Sequence, residues 1–583
     1  MHYHGITKKI VNRPLLNNGA GLTTVAHPIL KRLYQSRGIT SDAELERGLK
    51  KLPSPWLLSN MDDMAQYLIS AIDRQKKIVI VADYDADGAT SCAVAIKGLQ
   101  LLGAENVDFV VPDRFKYGYG LTPLIVELVK EKQGEVLITV DNGIASFEGV
   151  QAAKEAGMVI LVTDHHLPSD SVPNADAIVN PNLQYDEFPS RNLAGVGVMF
   201  YVLMAVRARM REKSWFISRD IEEPNLAQLL DFVALGTVAD VVALDEVNRI
   251  LVHQGLRRMR AGHAHIGIQA LVEVAGKNIQ RLVSSDLGFA IGPRLNAAGR
   301  IADMRIGIHC LISDNPAEAK TLAEQMNELN VERREIEDDM KQDAMRILDD
   351  LQMFKAPSLK SGVCLYEKEW HQGVIGILAS RIKDRLNRPV IAFAHAGNGE
   401  IKGSGRSIVG VHIRDVLSDI AMAQPQMLQK FGGHAMAAGL TIQLHDYPAF
   451  VMAFDKGVKQ RLDSLDLDLK VVSDGKLTEA EFNVDFCELL SESGPWGQAF
   501  PEPIFNGIFE VTQSKIVGEK HLKLTLREEG NKSQMIDAIA FFVERPEYWH
   551  GIRKVNIAYK LDVNEFRGRR SIQFIIEYLE KLA

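Results

Sequence analysis

The chain has 583 residues, of which 46% are apolar and 24% are charged. A single hydrophobic core does not extend over such a length, so three or four domains are predicted, and the composition excludes a mainly disordered chain. The net charge of −8 at pH 7 argues, taken alone, against a nucleic-acid partner, because phosphate backbones favour basic surfaces.

No segment of the sequence predicts insertion into a membrane or export from the cell. The apolar run from Asn192 to Val206 contains two glycines and is shorter than a bilayer-spanning helix, so it predicts a buried helix. The residues after Met1 show no basic segment before an apolar stretch, which disfavours a secretory signal. The four cysteines are far apart and predict neither a disulfide framework nor a zinc site. We therefore expect a cytoplasmic protein with no membrane partner.

The predicted elements, taken in chain order, begin with a helical N-terminal segment over residues 1–60. Residues 61–310 then alternate short runs of β-branched residues with stretches of helical periodicity. This pattern indicates a parallel sheet covered by helices on both faces. The runs predicted to be strands of this sheet are Ile78–Ala82, Val107–Val111, Val136–Val140 and Val159–Thr163.

The rest of the chain predicts three further parts. Residues 311–355 contain one long charged helix starting at Pro316, which either bridges two domains or packs on the surface of one. Residues 356–460 predict a second α/β domain. Residues 461–583 begin with an acidic linker and continue with short alternating strands that fit a small barrel or sandwich. The predicted fold class is therefore α/β, with a parallel-sheet domain, a second α/β domain joined by the long helix, and a C-terminal β-barrel.

Three of the predicted parallel strands are followed at once by acidic residues or histidines. These residues are Asp83, Asp85, Asp87, Asp141, Asp164, His165 and His166. Ligands gather at the carboxyl ends of parallel strands, so we expect these side chains to share one crevice. Anions buried together need compensating cations, and carboxylates with imidazoles suit two Mn²⁺ or Mg²⁺ ions. Taken singly, each acid could instead cap a helix or a turn, as could Asp240, a fourth candidate inside an apolar stretch.

These motifs belong to longer stretches that resemble the DHH phosphoesterases and, from about residue 28 to the end, the bacterial RecJ family of single-stranded-DNA exonucleases. The stretches that carry the resemblance are Val81–Ser91, Pro112–Leu121, Asp141–Gly143, Asp164–His166, Gly236–Asp240, Gly292–Arg300, Trp370–Gly376, Gly403–Ser407, Phe431–Gly439 and Ala558–Gly568. In fold, the resemblance implies a DHH catalytic domain, a DHHA1 domain and an OB-fold barrel.

The resemblance also implies how the catalytic residues divide their work. The implied ligands of two divalent ions are Asp83, Asp85, Asp87, Asp141, His165 and Asp240. Asp141 would bridge the ions, whereas Asp83 would be either a ligand or a support. Asp164 would orient His165, and His166 would face the scissile phosphate. Water activated between the ions would attack phosphorus in line.

Further residues are implied in holding DNA, although an ordinary surface ion pair is the alternative for any single arginine. The implied substrate-binding residues are Arg114, Arg294, Arg300, His371, Ser404, Arg406 and His434. Arg114, or Ser404 with Arg406 in a glycine-rich loop, would grip a terminal 5′-phosphate. The implied nucleic-acid-binding residues of the barrel are Lys515, Lys520, Lys523, Arg567, Arg569 and Arg570. Phe566 would stack on bases or join the core, and we expect Tyr559 in the core.

The function that the resemblance implies is 5′→3′ degradation of single-stranded DNA to 5′-mononucleotides, in DNA recombination and repair including mismatch repair. The expected partners are single-stranded DNA, a single-strand-binding protein and a helicase, and the expected state is a monomer. A DHH phosphodiesterase acting on short oligonucleotides or cyclic dinucleotides is an alternative that the C-terminal module disfavours. A non-catalytic single-strand-binding scaffold is another, which the intact carboxylates disfavour.

The net charge of −8 is not spread evenly along the chain. Residues 463–492 hold nine acids and two lysines, so the rest of the chain sums to only −1. Setting aside the six aspartates predicted at the metal site or its support leaves the remainder at +5. The acidic total therefore does not count against a DNA partner.

Overall fold

The computed structural model describes residues 8–112, 117, 120–350, 360–462, 469–518, 520–528, 535–543, 545–566 and 568–582. The chain divides into two compact units. Of the described residues, the first unit contains 8–299, 303–327 and 470–582, and the second contains 300–302, 328–350, 360–462 and 469.

The N-terminal segment contains one strand, β1 (Lys9–Asn12), and one α-helix, α1 (Pro28–Gln35), followed by short 3₁₀ turns. The prediction of a helical segment is therefore wrong for most of its described residues. β1 pairs in parallel with residues 470–473, far along the chain. Local sequence patterns cannot reveal such a partner, because the strand's hydrogen bonds depend on a distant segment.

A parallel sheet forms the centre of the first unit. Its strands are β2 (Ile78–Ala82), β3 (Val107–Val110), β4 (Val136–Val140), β5 (Val159–Thr163) and β6 (Ala177–Val179). The spatial order is β3-β2-β4-β5-β6, with every pair parallel. The four predicted strands are confirmed, whereas the short β6 was missed. The direction of winding switches between β2 and β4, where ligands bind in open parallel sheets.

Between residues 61 and 312, the described part of the chain has twelve α-helices that precede, alternate with or follow these strands, and the first five of them pack on the sheet. They are α2 (Met61–Asp73), α3 (Ala86–Leu101), α4 (Pro123–Glu131), α5 (Phe147–Glu155), α6 (Gly195–Glu212), α7 (Trp215–Ser218), α8 (Leu230–Ala239), α9 (Glu246–Arg260), α10 (Ile266–Val274), α11 (Ser284–Asp286), α12 (Gly292–Ile301) and α13 (Arg305–Ile312). A π-helical turn, Leu287–Ile291, lies between α11 and α12. Most of α6 is buried, as its glycine-containing apolar sequence predicts. No helix among the described residues is long and apolar enough to span a membrane.

The predicted long helix is confirmed as α14 (Pro316–Asp350), of 35 residues. The second unit has the strands β7 (Val363–Tyr366), β8 (Val390–Gly397), β9 (Glu400–Arg406), β10 (Lys430–Gly433) and β11 (Ala437–Gln443), in the order β10-β11-β9-β8-β7. Its other helices are α15 (Ile375–Leu386), α16 (Ile413–Ala423) and α17 (Tyr447–Leu462).

The glycine-rich stretch predicted to be a loop is instead largely the strand β9, between β8 and β11. Its glycines serve packing: a β-carbon on Gly403 would lie 2.6 Å from the ring of Phe393, and one on Gly405 would lie 2.6 Å from Ile413. A side chain at either position would displace the core of the sheet.

The C-terminal part is a closed barrel, which confirms the predicted architecture. The elements are β12 (Lys470–Ser473), α18 (Val484–Ser493), β13 (Phe505–Val517), β14 (His521–Glu528), β15 (Ile536–Ala540), β16 (Lys554–Phe566) and β17 (Arg569–Lys581). The last five strands close in the order β13-β14-β15-β17-β16. Tyr559, 1% exposed, is a core residue as predicted.

The barrel belongs to the same unit as the parallel sheet. β1 pairs with β12, and the buried Arg37 guanidinium donates to both carboxylate oxygens of Asp474 at 2.9 and 3.0 Å. The Leu244 N–H donates to the Gln498 carbonyl at 2.8 Å. These contacts tie the N-terminal segment and the loop between α8 and α9 to the segment that leads into the barrel.

Candidate metal centre

The first acids lie at the junction of β2 and α3. Asp83 directly follows β2, and its Oδ1 accepts the Tyr84 N–H at 2.7 Å. Asp85 caps α3, since its Oδ1 accepts the N–H groups of Asp87 and Gly88, both at 3.0 Å. The capping role weighed for a single aspartate therefore holds for Asp85, but these bonds use only one of its two carboxylate oxygens.

Asp87 lies in the first turn of α3 and is almost fully buried. Its oxygens accept backbone N–H groups from the start of α6, from Gly195 at 2.6 Å and from Val196 at 3.0 Å. A β-carbon on Gly195 would lie only 2.6 Å from Cβ of Asp141, so glycine is what permits this close approach. The N-terminus of α6 therefore holds Asp87 and packs against Asp141.

His165 lies among the carboxylates, two residues after β5 ends. Its Nε2 is 3.1 Å from Oδ1 of Asp141, 3.6 Å from Oδ2 of Asp240 and 3.9 Å from Oδ2 of Asp87. Asp141 directly follows β4, and Asp240 is the C-cap of α8. The carboxyl ends of three strands and one helix thus bring the predicted residues together at the switch in strand order.

Three groups of three side chains could each hold a metal ion, because the ligand atoms within each group lie within 4.8 Å of one another. The groups are Asp83 with Asp85 and Asp141, Asp87 with His165 and Asp240, and Asp141 with His165 and His166. Oδ1 of Asp141 is buried and accepts no hydrogen bond from the described residues. Carboxylate oxygens with imidazole nitrogens fit Mn²⁺ or Mg²⁺, and the membership of Asp141 in two groups supports a bridging role.

The electrostatics of this cluster also call for a cation. Burial, followed by the charge of Asp85, raises the pKa of Asp83 to about 8 and the pKa of Asp87 to about 7. Burial and the charge of Asp87 raise the pKa values of Asp141 and Asp240 well above their usual range. A divalent cation favours the ionised carboxylates, so it would reverse these shifts.

Asp164 holds the histidine pair. Its Oδ1 accepts the backbone N–H of His165 at 2.7 Å and of His166 at 3.0 Å, and it lies 2.7 Å from Nδ1 of His166. The expected orienting role therefore reaches the backbone of His165, but the imidazole that Asp164 contacts is that of His166. Burial disfavours both charges, yet their hydrogen bond prevails and sets the pKa of Asp164 to about 2 and that of His166 to about 9. Both groups are therefore charged at neutral pH.

Sequence reasoning missed the side-chain amides that support this histidine segment. Nδ2 of Asn180 donates to the His166 carbonyl at 2.9 Å, and Nδ2 of Asn182 donates to the His165 carbonyl at 2.6 Å. Both asparagines closely follow β6, so the rule that ligands gather at strand ends could have found them. The three-residue strand was too short to be recognised.

The helix α12 supports the metal loop, which is the segment from Asp83 to Asp87 after β2. Sequence reasoning also missed this contact. Oδ1 of Asn296 accepts the Ala86 N–H at 2.9 Å. A β-carbon on Gly299 would lie 1.7 Å from the Tyr84 carbonyl oxygen, so glycine is required for α12 to contact the loop. Both residues lie in the Gly292–Arg300 stretch, in which the resemblance implies roles only for Arg294 and Arg300, as substrate-binding residues.

Five of the predicted substrate-binding residues lie in the second unit. They are Arg300, His371, Ser404, Arg406 and His434. Nη1 of Arg406 donates to Oγ of Ser404 at 3.1 Å and to the Gly405 carbonyl at 2.8 Å. A β-carbon on Gly376, in the first turn of α15, would lie 2.8 Å from Nη2 of Arg406. The guanidinium therefore lies against the positive end of a helix.

Two of the other three residues lie at the same helix end, and His434 lies in the neighbouring turn between β10 and β11. Nη1 of Arg300 donates to the Gly373 carbonyl at 3.4 Å, and the Gly373 N–H donates to Nδ1 of His371 at 3.1 Å. The His434 N–H donates at 2.7 Å to the carbonyl of Ala437, which is the strand partner of Arg406. These contacts place Arg300 and His371 at the turn before α15, and His434 just before β11, the strand next to β9.

Arg406 has the environment of an anion-binding group. Burial lowers the pKa of its guanidinium. Within the described part of the chain, no carboxylate forms an ion pair with it. A partly buried cation at a helix N-terminus is an arrangement that binds phosphate.

Of the two remaining predicted arginines, the structure describes only Arg294. Arg294 lies in the first unit and is 8% exposed, with Nη1 donating to the Ala290 carbonyl at 2.5 Å and Nε donating to Oδ1 of Asn327 at 3.1 Å. These bonds stabilise the turn before α12, and a contact of Arg294 with substrate stays a prediction. Arg114 lies outside the described residues.

The first basic group predicted on the barrel lies at the β13–β14 hairpin. Lys515 and Lys523 are cross-strand neighbours on one face. Lys523 also pairs with Asp537 at 2.8 Å, and Lys520 is exposed just before β14. A contact of these lysines with nucleic acid stays a prediction.

The second basic group lies at the β16–β17 hairpin. Arg569 is exposed, whereas Arg570 forms an ion pair with Glu488 that reduces its availability to phosphate. Arg567 and the side chain of Phe566 lie outside the described part of the chain. Their predicted contacts with nucleic acid stay predictions.

Family models match three parts of the chain. Residues 77–237 match the N-terminal domain of the DHH family, residues 359–460 match the DHHA1 domain, and residues 473–578 match the RecJ OB domain. The metal cluster described above lies in the first of these regions, except for Asp240, which follows it by three residues as the cap of α8. These matches confirm the resemblance given by the sequence motifs.

Curated relatives match nearly the whole chain. The single-stranded-DNA-specific exonuclease RecJ of Salmonella typhimurium is 50% identical over 553 residues, which cover 94% of this chain and 95% of the relative. The protein of the same name from Escherichia coli is 49% identical over 570 residues, which cover 97% and 98%.

Solved structures agree in fold with this chain. RecJ from Thermus thermophilus in complex with Mn²⁺ has a TM-score of 0.78 and 27% identity, over 99% of this chain and 79% of that chain. RecJ from the same organism in complex with Mg²⁺ has a TM-score of 0.73 and 25% identity, over 99% and 78%. By identity over almost its full length, the chain belongs to the RecJ family of single-stranded-DNA-specific exonucleases.

Proposed function

We propose that this protein is a single-stranded-DNA-specific exonuclease that hydrolyses phosphodiester bonds from the 5′ end and uses two divalent cations, Mn²⁺ or Mg²⁺. The observation that carries the proposal is the buried cluster of aspartates and His165 at the carboxyl ends of β2, β4 and β5. Ionised carboxylates buried so close together are unfavourable, and bound cations would compensate their charge. The exonuclease relatives and their Mn²⁺ and Mg²⁺ complexes give the chemistry that we assign to it.

The residues of the cluster divide between two cation sites. Asp83, Asp85 and Asp141 would hold one ion, and Asp87, His165 and Asp240 would hold the other with Asp141 as the shared ligand. Bound cations supply Lewis-acid chemistry, which lowers the pKa of water and stabilises negative charge on the phosphoryl group.

His166 then acts on the phosphate. Its Nδ1 is directed at Asp164, 2.7 Å away, and the hydrogen bond between them favours the protonated ring. An imidazolium donates through both nitrogens, so Nε2 can donate a hydrogen bond or a proton to an oxygen of the scissile phosphodiester. Asp164 fixes the direction of that donor.

The second unit recognises the end of the strand. The Ser404 hydroxyl and the Arg406 guanidinium lie together at the first turn of α15, and the 5′-phosphate is the ligand that we assign to them. An exonuclease needs such a device, because a free end must be distinguished from the interior of a strand.

We assign this activity to DNA recombination and repair, including mismatch repair, in the cytoplasm. A helicase would expose the single strand and a single-strand-binding protein would occupy it, while the exonuclease acts as a monomer. These roles follow from the family and would be tested by reconstitution with the two partners.

The decisive experiment compares single- and double-stranded DNA and single-stranded RNA, each labelled at the 5′ or the 3′ end. The purified protein is incubated with Mn²⁺, Mg²⁺ or EDTA, and the products are sized. We expect mononucleotides from single-stranded DNA with either metal, released first from a 5′ label, and no product with EDTA. Asp141→Ala should abolish cleavage while binding of the strand stays measurable.

Other outcomes identify the alternatives. Cleavage confined to short oligonucleotides or cyclic dinucleotides would support the small-substrate phosphodiesterase. Strand binding without cleavage under every metal condition would support the scaffold. Turnover retained by Asp141→Ala would contradict the bridging assignment.

A further inference from the structure

A solvent-exposed aromatic side chain lies in the segment that packs beside Asp240 in the first unit. Phe289 is 81% exposed and lies at the centre of the π-helical turn Leu287–Ile291. This turn packs on the last turn of α8, since a β-carbon on Gly288 would lie 3.3 Å from Cγ1 of Val238. Packed helices run about 8–10 Å apart. The backbone of Phe289 is therefore about one helix width from the segment that ends in Asp240.

The backbone that carries Phe289 is held on both sides. Leu287 and Ile291 are completely buried. The carbonyl next to Phe289 in the chain, that of Ala290, accepts Nη1 of the buried Arg294 at 2.5 Å. π-helical turns are rare and frequent at functional sites, and this one presents an aromatic ring to solvent from a fixed support.

A second exposed apolar residue directly follows the metal ligand itself. Val241 is 62% exposed and has a left-handed backbone with φ 64°. This conformation is unfavourable for a β-branched residue, and such strain is retained where the surrounding structure enforces it, commonly at functional sites. A glycine would make the same turn without strain.

We propose that Phe289 stacks on an unpaired nucleobase of the strand being cleaved and that Val241 extends this apolar contact towards the metal centre. The inference rests on the proposed function and adds a subsite for bases to it. Every base has a π-face, so the contact tolerates any sequence. In a duplex each base is covered by its neighbours on both faces, so a subsite that needs a free face favours single strands.

An exposed apolar residue needs no explanation by itself. Ile217 is 85% exposed and lies in the same unit, beyond the C-terminus of α6. The N-terminus of α6 contacts Asp87, and its 18 residues extend over about 27 Å. Ile217 is therefore a matched control that is equally exposed but remote from the metal centre.

The test measures binding of fluorescein-labelled oligothymidylate by anisotropy in the Asp141→Ala background, so that it does not depend on turnover. Phe289→Ala should raise Kd at least about fivefold, since stacking of one base contributes about 1 kcal/mol or more. Phe289→Tyr should keep most of the affinity, and Ile217→Ala should leave Kd unchanged. Val241→Gly should raise Kd while the melting temperature stays equal or increases.

Strands with one abasic nucleotide at successive positions locate the contact. In the parent, one position should show a loss of affinity, and Phe289→Ala should remove that loss because the ring is absent. An unchanged Kd for Phe289→Ala, or an abasic loss of equal size with and without the ring, would overturn the subsite. Absence of nuclease activity in the wild-type protein would instead overturn the proposed function, while the binding comparison would still decide the role of Phe289.

Discussion

At the scale of single residues, Asp141 shows most clearly that the buried carboxylates of the metal centre are unfavourable in their ionised form. It is 2% exposed, and its Oδ1 lies 3.1 Å from Nε2 of His165 and accepts no hydrogen bond from the described residues. Burial and the neighbouring aspartates raise its pKa, which means that the ionised form is unfavourable without a cation. A carboxylate in this position is suited to binding metal rather than to stabilising the fold.

Asp141→Asn should therefore leave the metal-free protein at least as stable as the wild type, because the amide removes a repulsive charge at nearly constant volume. Mn²⁺ should raise the melting temperature of the wild type, since a ligand that binds only the folded state stabilises it. The variant should lose most of this rise. Scanning fluorimetry with EDTA and with Mn²⁺ checks both points. A full Mn²⁺ effect in Asp141→Asn would exclude Asp141 as an essential ligand.

Arg406→Ala should weaken the preference for a 5′-phosphorylated end over a 5′-hydroxyl end, by about tenfold or more, because a charged hydrogen bond to phosphate contributes about 1.5–3 kcal/mol. The rate at saturating substrate should change less. Degradation of the two strands in competition measures the preference. Arg414→Ala, an exposed arginine in α16 of the same unit, is the control. An unchanged ratio of the two ends would show that Arg406 does not read the phosphate.

At the scale of elements, α12 supports the metal loop that follows the strand β2. The Asn296 side chain caps the Ala86 N–H, and Gly299 contacts the Tyr84 carbonyl. Groups that hold a ligand loop are important for affinity even though they do not touch the ion.

Asn296→Ala should weaken Mn²⁺ binding about tenfold, because the Ala86 N–H loses its partner and the loop between Asp85 and Asp87 is less restrained. Calorimetric titration of the protein with Mn²⁺ measures this directly. Asn278→Ala is a matched control, since Oδ1 of Asn278 also accepts a backbone N–H, that of Gln280 at 3.0 Å. Equal affinities in the two variants would argue against a positioning role for Asn296.

Elements with a continuous local signal were predictable from the sequence. The β-branched runs of β2, β4 and β5 match the structure, because buried parallel strands need apolar residues on both faces. β6 is too short to show a period, and β9 contains glycines that resemble a loop but pack against Phe393 and Ile413.

The candidate site likewise has residues that could be predicted from the sequence and residues that could not. The acids and histidines could be predicted, because each directly follows or lies close to a strand or helix end, where the fold gathers ligands. Asn296 could not be assigned to the metal loop, since its contact with Ala86 joins segments 210 residues apart. The contact between Asp164 and the ring of His166 depends on the local turn, which the motif alone does not reveal.

At the scale of the whole molecule, the first unit joins segments from both ends of the chain. His253, in α9, lines a small cavity with Arg260 and Trp496, so it lies where α9 meets the segment that leads to the barrel. Burial and the charges of nearby arginines, Arg47 first, lower the pKa of His253 to about 4.

The part of the stability that depends on His253 should consequently fall as the pH decreases from about 6.5 towards 4. In this window the unfolded chain binds a proton at His253 and the folded protein does not, so protonation favours unfolding. The difference in melting temperature between pH 7 and pH 5 should therefore shift in favour of pH 5 in His253→Gln relative to the wild type, whereas His445→Gln, at an exposed histidine, should show the wild-type difference. An identical pH dependence in wild type and His253→Gln would contradict the contribution of this residue.

The pairing of β1 with β12 has a consequence for synthesis of the chain. Lys9 is aligned with Lys470, so the N-terminal strand emerges from the ribosome long before its partner exists. At about 5–20 residues per second, the delay is roughly 20–90 s. The second unit, by contrast, ends at residue 469, so all of it is synthesised before β12. The first unit is thus the last to be completed, and its early strand has an unpaired edge, a feature that invites aggregation, throughout the translation of the second.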